Sequence, residues 1–403
     1  MSHRKKNLAQ LLIATLTVLL LIPTSIISAQ DSQPQDLQPL VTIDFGERIN
    51  FSIQIHSSTA PVRAALFLRP SPDSRFDAHI GEIEAGQTSA VEIGFEPQAL
   101  NLLPFAQVEY YWQIDFEDGS IQTTDIVRVT YLDERFAWQE LSRDRLTVHW
   151  VDGGIDWGQD LLSIAEAALP KIQTLIAVPS SGQRHIYIYP GQAELRNSLR
   201  QAGINQASAH TLPELGVMLL AGENDSETLI RFEREIPHEL VHLLLYERMG
   251  PAIDNLPVWL NEGLSTYFEQ SPRPVYSNAL EEAHEEDALI DMESLCASFP
   301  ISESGRILAY AQSESFTNYL LDVYGTGGIV RLLDAYQEGT SCTGGVQRVY
   351  QRSLLQLEEE WRQVTFGDHS TLPISMLLLY LGIGVGITTA ALIVALLIRR
   401  RSK

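Results

Sequence analysis

Two stretches decide how this chain is read: Pro237-His238-Glu239-Leu240-Val241-His242-Leu243-Leu244-Leu245-Tyr246 and, after it, Pro257-Val258-Trp259-Leu260-Asn261-Glu262-Gly263-Leu264-Ser265-Thr266-Tyr267-Phe268-Glu269. The first places His-Glu-x-x-His inside a helical pattern. Residues four apart on a helix lie one above the other, so His238 and His242 can present ring nitrogens to one ion, with Glu239 beside them. Pro237 suits the first position of that helix. A zinc ion lowers the pKa of its bound water towards about 7, and a carboxylate next to that water can take the proton as it attacks a carbonyl.

His-Glu-x-x-His recurs by composition alone, so a catalytic site requires a third ligand. The first helix is expected to stop at Gly250-Pro251, and the second to carry Glu262 with 19 residues between it and His242. Two histidines and one carboxylate leave the fourth position open for water, which is the donor set of a catalytic zinc rather than a closed structural one.

HELVH followed by WLNEG resembles the gluzincins, the peptidase MA-like superfamily that includes thermolysin and aminopeptidase N. The similarity runs over about residues 146–366, and its specific part is 237–269. The resemblance implies an α+β zincin-like metallopeptidase domain with one zinc per chain. It assigns His238, His242 and Glu262 as metal ligands, Glu239 as general base, and a peptide or protein as substrate. Metzincins are excluded, because their longer pattern needs Gly at Leu245 and His at Arg248. An intramembrane protease is excluded by the charges of Glu233, Arg234, Glu235, Glu247 and Arg248, which leave too short an apolar run to span a bilayer.

The departures from the family pattern carry information. Its aminopeptidases have a Gly-x-Met-Glu-Asn strand whose Glu binds the substrate amine; here Gly216-Val217-Met218-Leu219-Leu220 has Leu219 at that place, which favours an endopeptidase. The strand Gly216 to Ala221 is expected at the sheet edge, free to pair with extended substrate. Thermolysin-like members have Asp four residues beyond the third ligand, where Thr266 stands here. Glu269 is then either a partner for a histidine or an exposed helix carboxylate. Tyr310, 48 residues beyond Glu262, resembles the family's downstream catalytic tyrosine, with a core role as the alternative. His284 is a further candidate, set in an acidic run that otherwise reads as a solvated helix face. The Gly325-Thr326-Gly327-Gly328 cluster lacks a phosphate-loop lysine and reads as a turn.

Upstream, short stretches alternate apolar and polar residues: 41–45, 49–55, 62–68, 90–95, 108–116 and 121–131, with Asp118-Gly119 as a hairpin turn. Period two with Gly, Pro and Asp punctuation predicts an antiparallel β-sandwich of immunoglobulin or fibronectin type III shape. Further on, 146–151 and 185–189 read as strands and 158–177 as a helix.

The ends read as membrane signals. Arg4, Lys5 and Lys6 precede an apolar run from Leu8 to Ile22 and a small-residue stretch ending Ser28-Ala29, as in a secretory signal, although Ile27 rather than a small residue stands before the cut. Residues 374–398 carry no charge and are followed by Arg399, Arg400, Arg401 and Lys403, which fits a transmembrane helix with a cytoplasmic tail. The expected order is a signal peptide over 1–29, a linker over 30–39, the β-sandwich over 40–135, the peptidase domain over 140–366, the span over 374–398 and a tail over 399–403. That describes a single-pass type I protein of the cell membrane, held in the lipid bilayer by its C-terminal helix. In an oxidising compartment Cys296 and Cys342 are expected to form a disulfide.

The net charge is −23, and all 51 acidic residues lie between the two apolar ends, so the part between them repels nucleic acid. The expectation is an extracytoplasmic, membrane-anchored zinc endopeptidase. Its rival is a cell-surface adhesion or scaffold protein that keeps a protease-like fold without activity, and zinc-dependent hydrolysis of another bond type shares the same site.

Overall fold

Alternation in the N-terminal strands converts directly into burial: Ile49, Phe51, Ile53 and Ile55 all face inward and are 1% exposed or less. The computed structural model describes residues 36–367 apart from 72–73, 84–88, 179–181, 202–208 and 272. The candidate signal peptide and the 374–398 stretch lie outside the described residues. Among those described, no helix is long and apolar enough to cross a membrane.

Eight strands form the N-terminal unit: β1 (Asp36–Asp44), β2 (Arg48–His56), β3 (Pro61–Arg69), β4 (Asp77–Gly81), β5 (Ser89–Phe95), β6 (Gln107–Phe116), β7 (Ile121–Thr123) and β8 (Val127–Thr130). One sheet has the order β1-β2-β5; the other runs β4-β3-β6-β7, with β8 also on β6. All pairs are antiparallel, and the two inner faces close over one core that includes Phe51, Leu66, Tyr110 and Trp112.

Two expectations need correction, and one strand has no sequence counterpart. The linker does not reach Pro39, because β1 already begins at Asp36; it pairs only with β2, so the missing N–H of Pro39 is tolerated at the sheet edge. The single strand expected over 121–131 is two, broken where Thr124 turns back and its hydroxyl accepts from the Trp112 N–H at 3.0 Å. Finally, β4 was not predicted, since Asp77-Ala78-His79-Ile80-Gly81 has little apolar alternation to reveal it.

The second unit opens with β9 (Gln139–Arg143), β10 (Leu146–Trp150), α1 (Ile155–Ile176), β11 (Arg184–Tyr189), α2 (Gln192–Gln201), β12 (Ala209–Leu212) and β13 (Val217–Ala221). The sheet order is β12-β13-β11-β10-β9, with β10, β11 and β13 parallel and the two outer strands antiparallel. The segment Gly216 to Ala221 is therefore not an edge strand: β12 covers it. All five residues of β13 are buried, and a strand apolar on both faces is an interior one. The edge strands are β12 and β9, and among the described residues no strand pairs with the outer side of β12. One sheet face, with Val148, Ile186 and Met218, joins the helical core; the other packs Tyr187, Tyr189 and Leu219 against Phe105, Phe136 and Trp138, where the two units meet.

Helices follow: α3 (Ser226–Met249), α4 (Val258–Tyr267), α5 (Pro274–Glu285), α6 (Glu303–Gln337), α7 (Cys342–Tyr350) and α8 (Leu354–Phe366). Helix α3 is capped by Asp225, whose carboxylate accepts from the Thr228 N–H at 2.8 Å, and it ends as expected before Gly250. Pro237 is not at its first position but in its middle. A proline there frees the carbonyl four residues back, and the Glu233 carbonyl instead accepts from the Gln270 N–H at 3.0 Å, tying α3 to the chain just beyond α4. Gly325, with φ 68° and ψ 178°, kinks α6, and the helix resumes through the rest of its glycine cluster. Cys296 and Cys342 are bridged as expected, their Cα atoms 6.0 Å apart.

Candidate metal centre

Helix α3 carries His238, Glu239 and His242 on one side, and α4 crosses it with Glu262 facing them. The Glu262 Oε2 atom lies 3.4 Å from Nε2 of His238 and 3.7 Å from Nε2 of His242. One donor atom from each of the three lies within 4.8 Å of the others, and they form the only such His/Cys/Asp/Glu group among the described residues. Close approach of α4 to α6 makes this possible: at Gly263 a Cβ would collide with the Ser313 backbone and the Thr317 hydroxyl.

The far nitrogens of both rings are already engaged. Nδ1 of His238 donates to Glu269 Oε1 at 3.2 Å, and Nδ1 of His242 donates to Asn261 Oδ1 at 3.0 Å. Each bond holds its ring with Nε2 directed at Glu262, and with a cation at Nε2 the ring proton sits on Nδ1. Glu269 is fixed in turn by two bonds from Arg273, at 2.5 and 2.9 Å. Its side chain is 4% exposed, so it is the histidine partner and not a solvated carboxylate. Thr266 is buried and makes no such contact.

Glu262 Oε2 is buried without a hydrogen-bond partner. An unpartnered buried carboxylate oxygen facing two imidazole nitrogens fits a cation, and the set of two nitrogens and one oxygen fits zinc. The electrostatics agree. Burial opposes a charged His238 ring, but the surrounding carboxylates of Glu262, Glu269 and Glu239 outweigh it and raise its pKa to about 10. For Glu262, burial favours the neutral acid, yet His242 and His238 hold its pKa below the usual carboxylate range. The site thus stabilises positive charge, whichever species carries it.

Glu239 is 9% exposed and its Oε2 accepts from the Thr211 hydroxyl at 2.6 Å, so the edge strand β12 fixes the orientation of this carboxylate. Tyr310 reaches in from α6, its ring 6.2 Å from that of His238 and its hydroxyl near enough to Glu262 to help hold that carboxyl's pKa down. Burial, reinforced by the negative charge of Glu262, pushes that hydroxyl up, so it remains a donor at neutral pH. His210 of β12 lines the same cleft, its pKa lowered by burial. His284 does not belong to this site: it stacks on Phe366, with centroids 3.9 Å apart.

The cleft has a volume of about 1200 Å³ and runs between β12, α3 and α6. The sequence reading missed Thr211, His210 and Asn261. Only Asn261 had a local signal, its place beside the third ligand; the other two are brought in by a four-residue strand.

No curated protein matches the chain. Among solved structures, an aminopeptidase N family protein from Idiomarina loihiensis is similar at 10% identity over 81% of this chain and 75% of that one, with a TM-score of 0.38. A polysaccharide deacetylase from Bacillus cereus is similar at 12% identity over 42% of this chain and 55% of that one, with a TM-score of 0.20. Residues 164–367, the stretch that contains every helix and histidine of the site, match the Peptidase MA superfamily, and the chain belongs to that family of peptidase-like proteins.

Proposed function

We propose that the chain is a zinc-dependent endopeptidase, anchored in the membrane with its catalytic domain outside the cytoplasm. The observation that carries the zinc assignment is the bare, buried Glu262 oxygen facing two imidazole nitrogens whose opposite sides are already bonded. His238, His242 and Glu262 would hold the ion. Bound zinc supplies Lewis acidity, which brings the pKa of its water to about 7.

The protein's own groups account for the rest. Glu239, held by Thr211, takes a proton from the attacking water and passes it to the leaving amine. The Tyr310 hydroxyl donates to the carbonyl oxygen as charge develops there. The open edge of β12 aligns extended substrate by backbone hydrogen bonds. An internal bond is favoured because no residue of β12 is acidic, and Glu235, a carboxylate in the cleft wall, is already paired with Arg231 at 2.5 Å. A free substrate amine therefore finds no open carboxylate anchor. Anchoring rests on the sequence: the leader over 1–29, and the uncharged stretch 374–398 with its basic flank.

Full-length protein is expected to bind about one zinc and to cleave peptides in a chelator-sensitive way. Glu239→Gln should retain the metal and lose about 10²- to 10⁴-fold or more in turnover. Unchanged zinc content and unchanged hydrolysis in Glu262→Ala would refute the assignment.

A further inference from the structure

Four arginines line the cleft: Arg196 of α2, Arg231 of α3, Arg273 just before α5, and Arg306 of α6. Two of them are neutralised within the wall, Arg231 by Glu235 at 2.5 Å and Arg273 by Glu269 at 2.5 Å. The side chains of Arg196 and Arg306 make no hydrogen bond or ion pair with any described residue. In a chain with 51 acidic residues against 28 basic ones, carboxylate partners are abundant, and these two have none among the described residues.

Their placement matters more than their number. Arg306 lies one helical turn before Tyr310 on α6, close enough for its charge to act on the Tyr310 hydroxyl. Arg196 stands on the helix that packs against β11 and β13, so the two guanidinium groups approach the cleft from different elements. The cleft lining has three carboxylates, Glu235, Glu239 and Glu262. The first is paired with Arg231, and the charge of the other two is matched by a divalent cation. What remains is the charge of Arg196 and Arg306: a locally positive cleft on a strongly acidic molecule.

We propose that Arg306, assisted by Arg196, binds a carboxylate of the substrate, so that the peptides this cleft accepts are anionic ones. The inference rests on the peptidase reading and narrows its substrate class. A guanidinium presents a planar fork of donors that matches a carboxylate, and here that fork faces solvent with no internal partner to displace. The carboxylate can come from an Asp or Glu side chain or from a free peptide C-terminus, and both offer the same chemistry to Arg306.

Binding separates this inference from catalysis. Zinc-loaded full-length protein carrying Glu239→Gln would be titrated by fluorescence anisotropy with four labelled peptides of one sequence. They have either Glu or Gln at an internal position, and either a free or an amidated C-terminus. A carboxylate-bearing peptide is expected to bind about tenfold tighter than its neutral counterpart, the scale of a charge-assisted hydrogen bond at a partly wet site. The Glu/Gln and acid/amide arms identify which carboxylate is read. Adding Arg306→Gln should remove the preference, bringing the carboxylate-bearing peptides to the affinity of their neutral counterparts, and Arg306→Lys should keep part of it. Equal affinities for all four peptides would overturn the inference, as would a preference that survives Arg196→Gln and Arg306→Gln together. Carboxylate-selective binding by an unaltered chain that hydrolyses no peptide would count against the peptidase reading alone. Equal cleavage of anionic and neutral peptides would count against the carboxylate site alone.

Discussion

At the scale of single residues, what makes the three proposed ligands a site is the pair of hydrogen bonds behind them. Glu269 and Asn261 each accept from an Nδ1–H, which settles the tautomer of His238 and His242 and the orientation of each ring. The Arg273 guanidinium completes the chain by holding Glu269. Removing the charge from that relay leaves the ligands in place but makes them poorer ones. Glu269→Gln is expected to weaken zinc binding by about 10- to 100-fold, read by competition with a chromophoric chelator, with the circular dichroism spectrum unchanged. Zinc affinity equal to that of the unaltered protein would show that Glu269 serves Arg273 rather than His238. The sequence showed Glu269 as one of two things, a histidine partner or a solvated carboxylate. Its spacing from Glu262 put it two turns along, but only packing against His238 decided which.

Helices and strands carry the geometry that those residues need. Helix α3 runs through Pro237 because the unpaired Glu233 carbonyl finds the Gln270 N–H, so the residue that looked like a helix start is a tie to the end of α4. A proline next to the first ligand is compatible with either reading in sequence; the distant Gln270 N–H that takes the Glu233 carbonyl is what distinguishes them. Gly263, next to Glu262, lets α4 lie directly on the Ser313 backbone of α6. In Gly263→Ala the added methyl must push the two helices apart, at a cost of about 1 to 3 kcal/mol, and it carries Glu262 away from the histidines. Both a lower denaturant midpoint and weaker zinc binding are expected; an unaltered zinc affinity would show that α4 can shift without moving its carboxylate. The edge position of β12 belongs to this scale too. Four residues with one histidine and one threonine give no periodic signal, yet they cover β13, hold Glu239 and form the sheet edge on the cleft side among the described residues.

Across the whole molecule, three clusters of apolar side chains matter: the core of the sandwich, the larger core beneath the helices, and the aromatic group between them. Phe105, from the sandwich, stacks on Tyr187 of β11 with centroids 3.7 Å apart, and Trp138 packs edge-on against both. Such a contact couples the unfolding of the two units. Phe105→Ala is expected to split a single calorimetric transition into two, because the truncation removes one side of the stack while leaving both large cores intact. A single cooperative transition in the variant would mean that the remaining contacts suffice.

The local features were legible from the chain alone. Alternation marked the strands from Ile49 to Phe116, the i, i+4 histidines marked a helix face, and the Glu262 spacing named a third donor, because each depends on the backbone repeat of one element. Tertiary structure decided which strand lies at the edge, which carboxylate supports His238, what stands behind Glu239, and which arginines face the cleft unpaired. Those facts depend on where α2, β12, α3 and α6 come to rest against one another. That arrangement is fixed by packing between residues far apart in the sequence, and no local period records it.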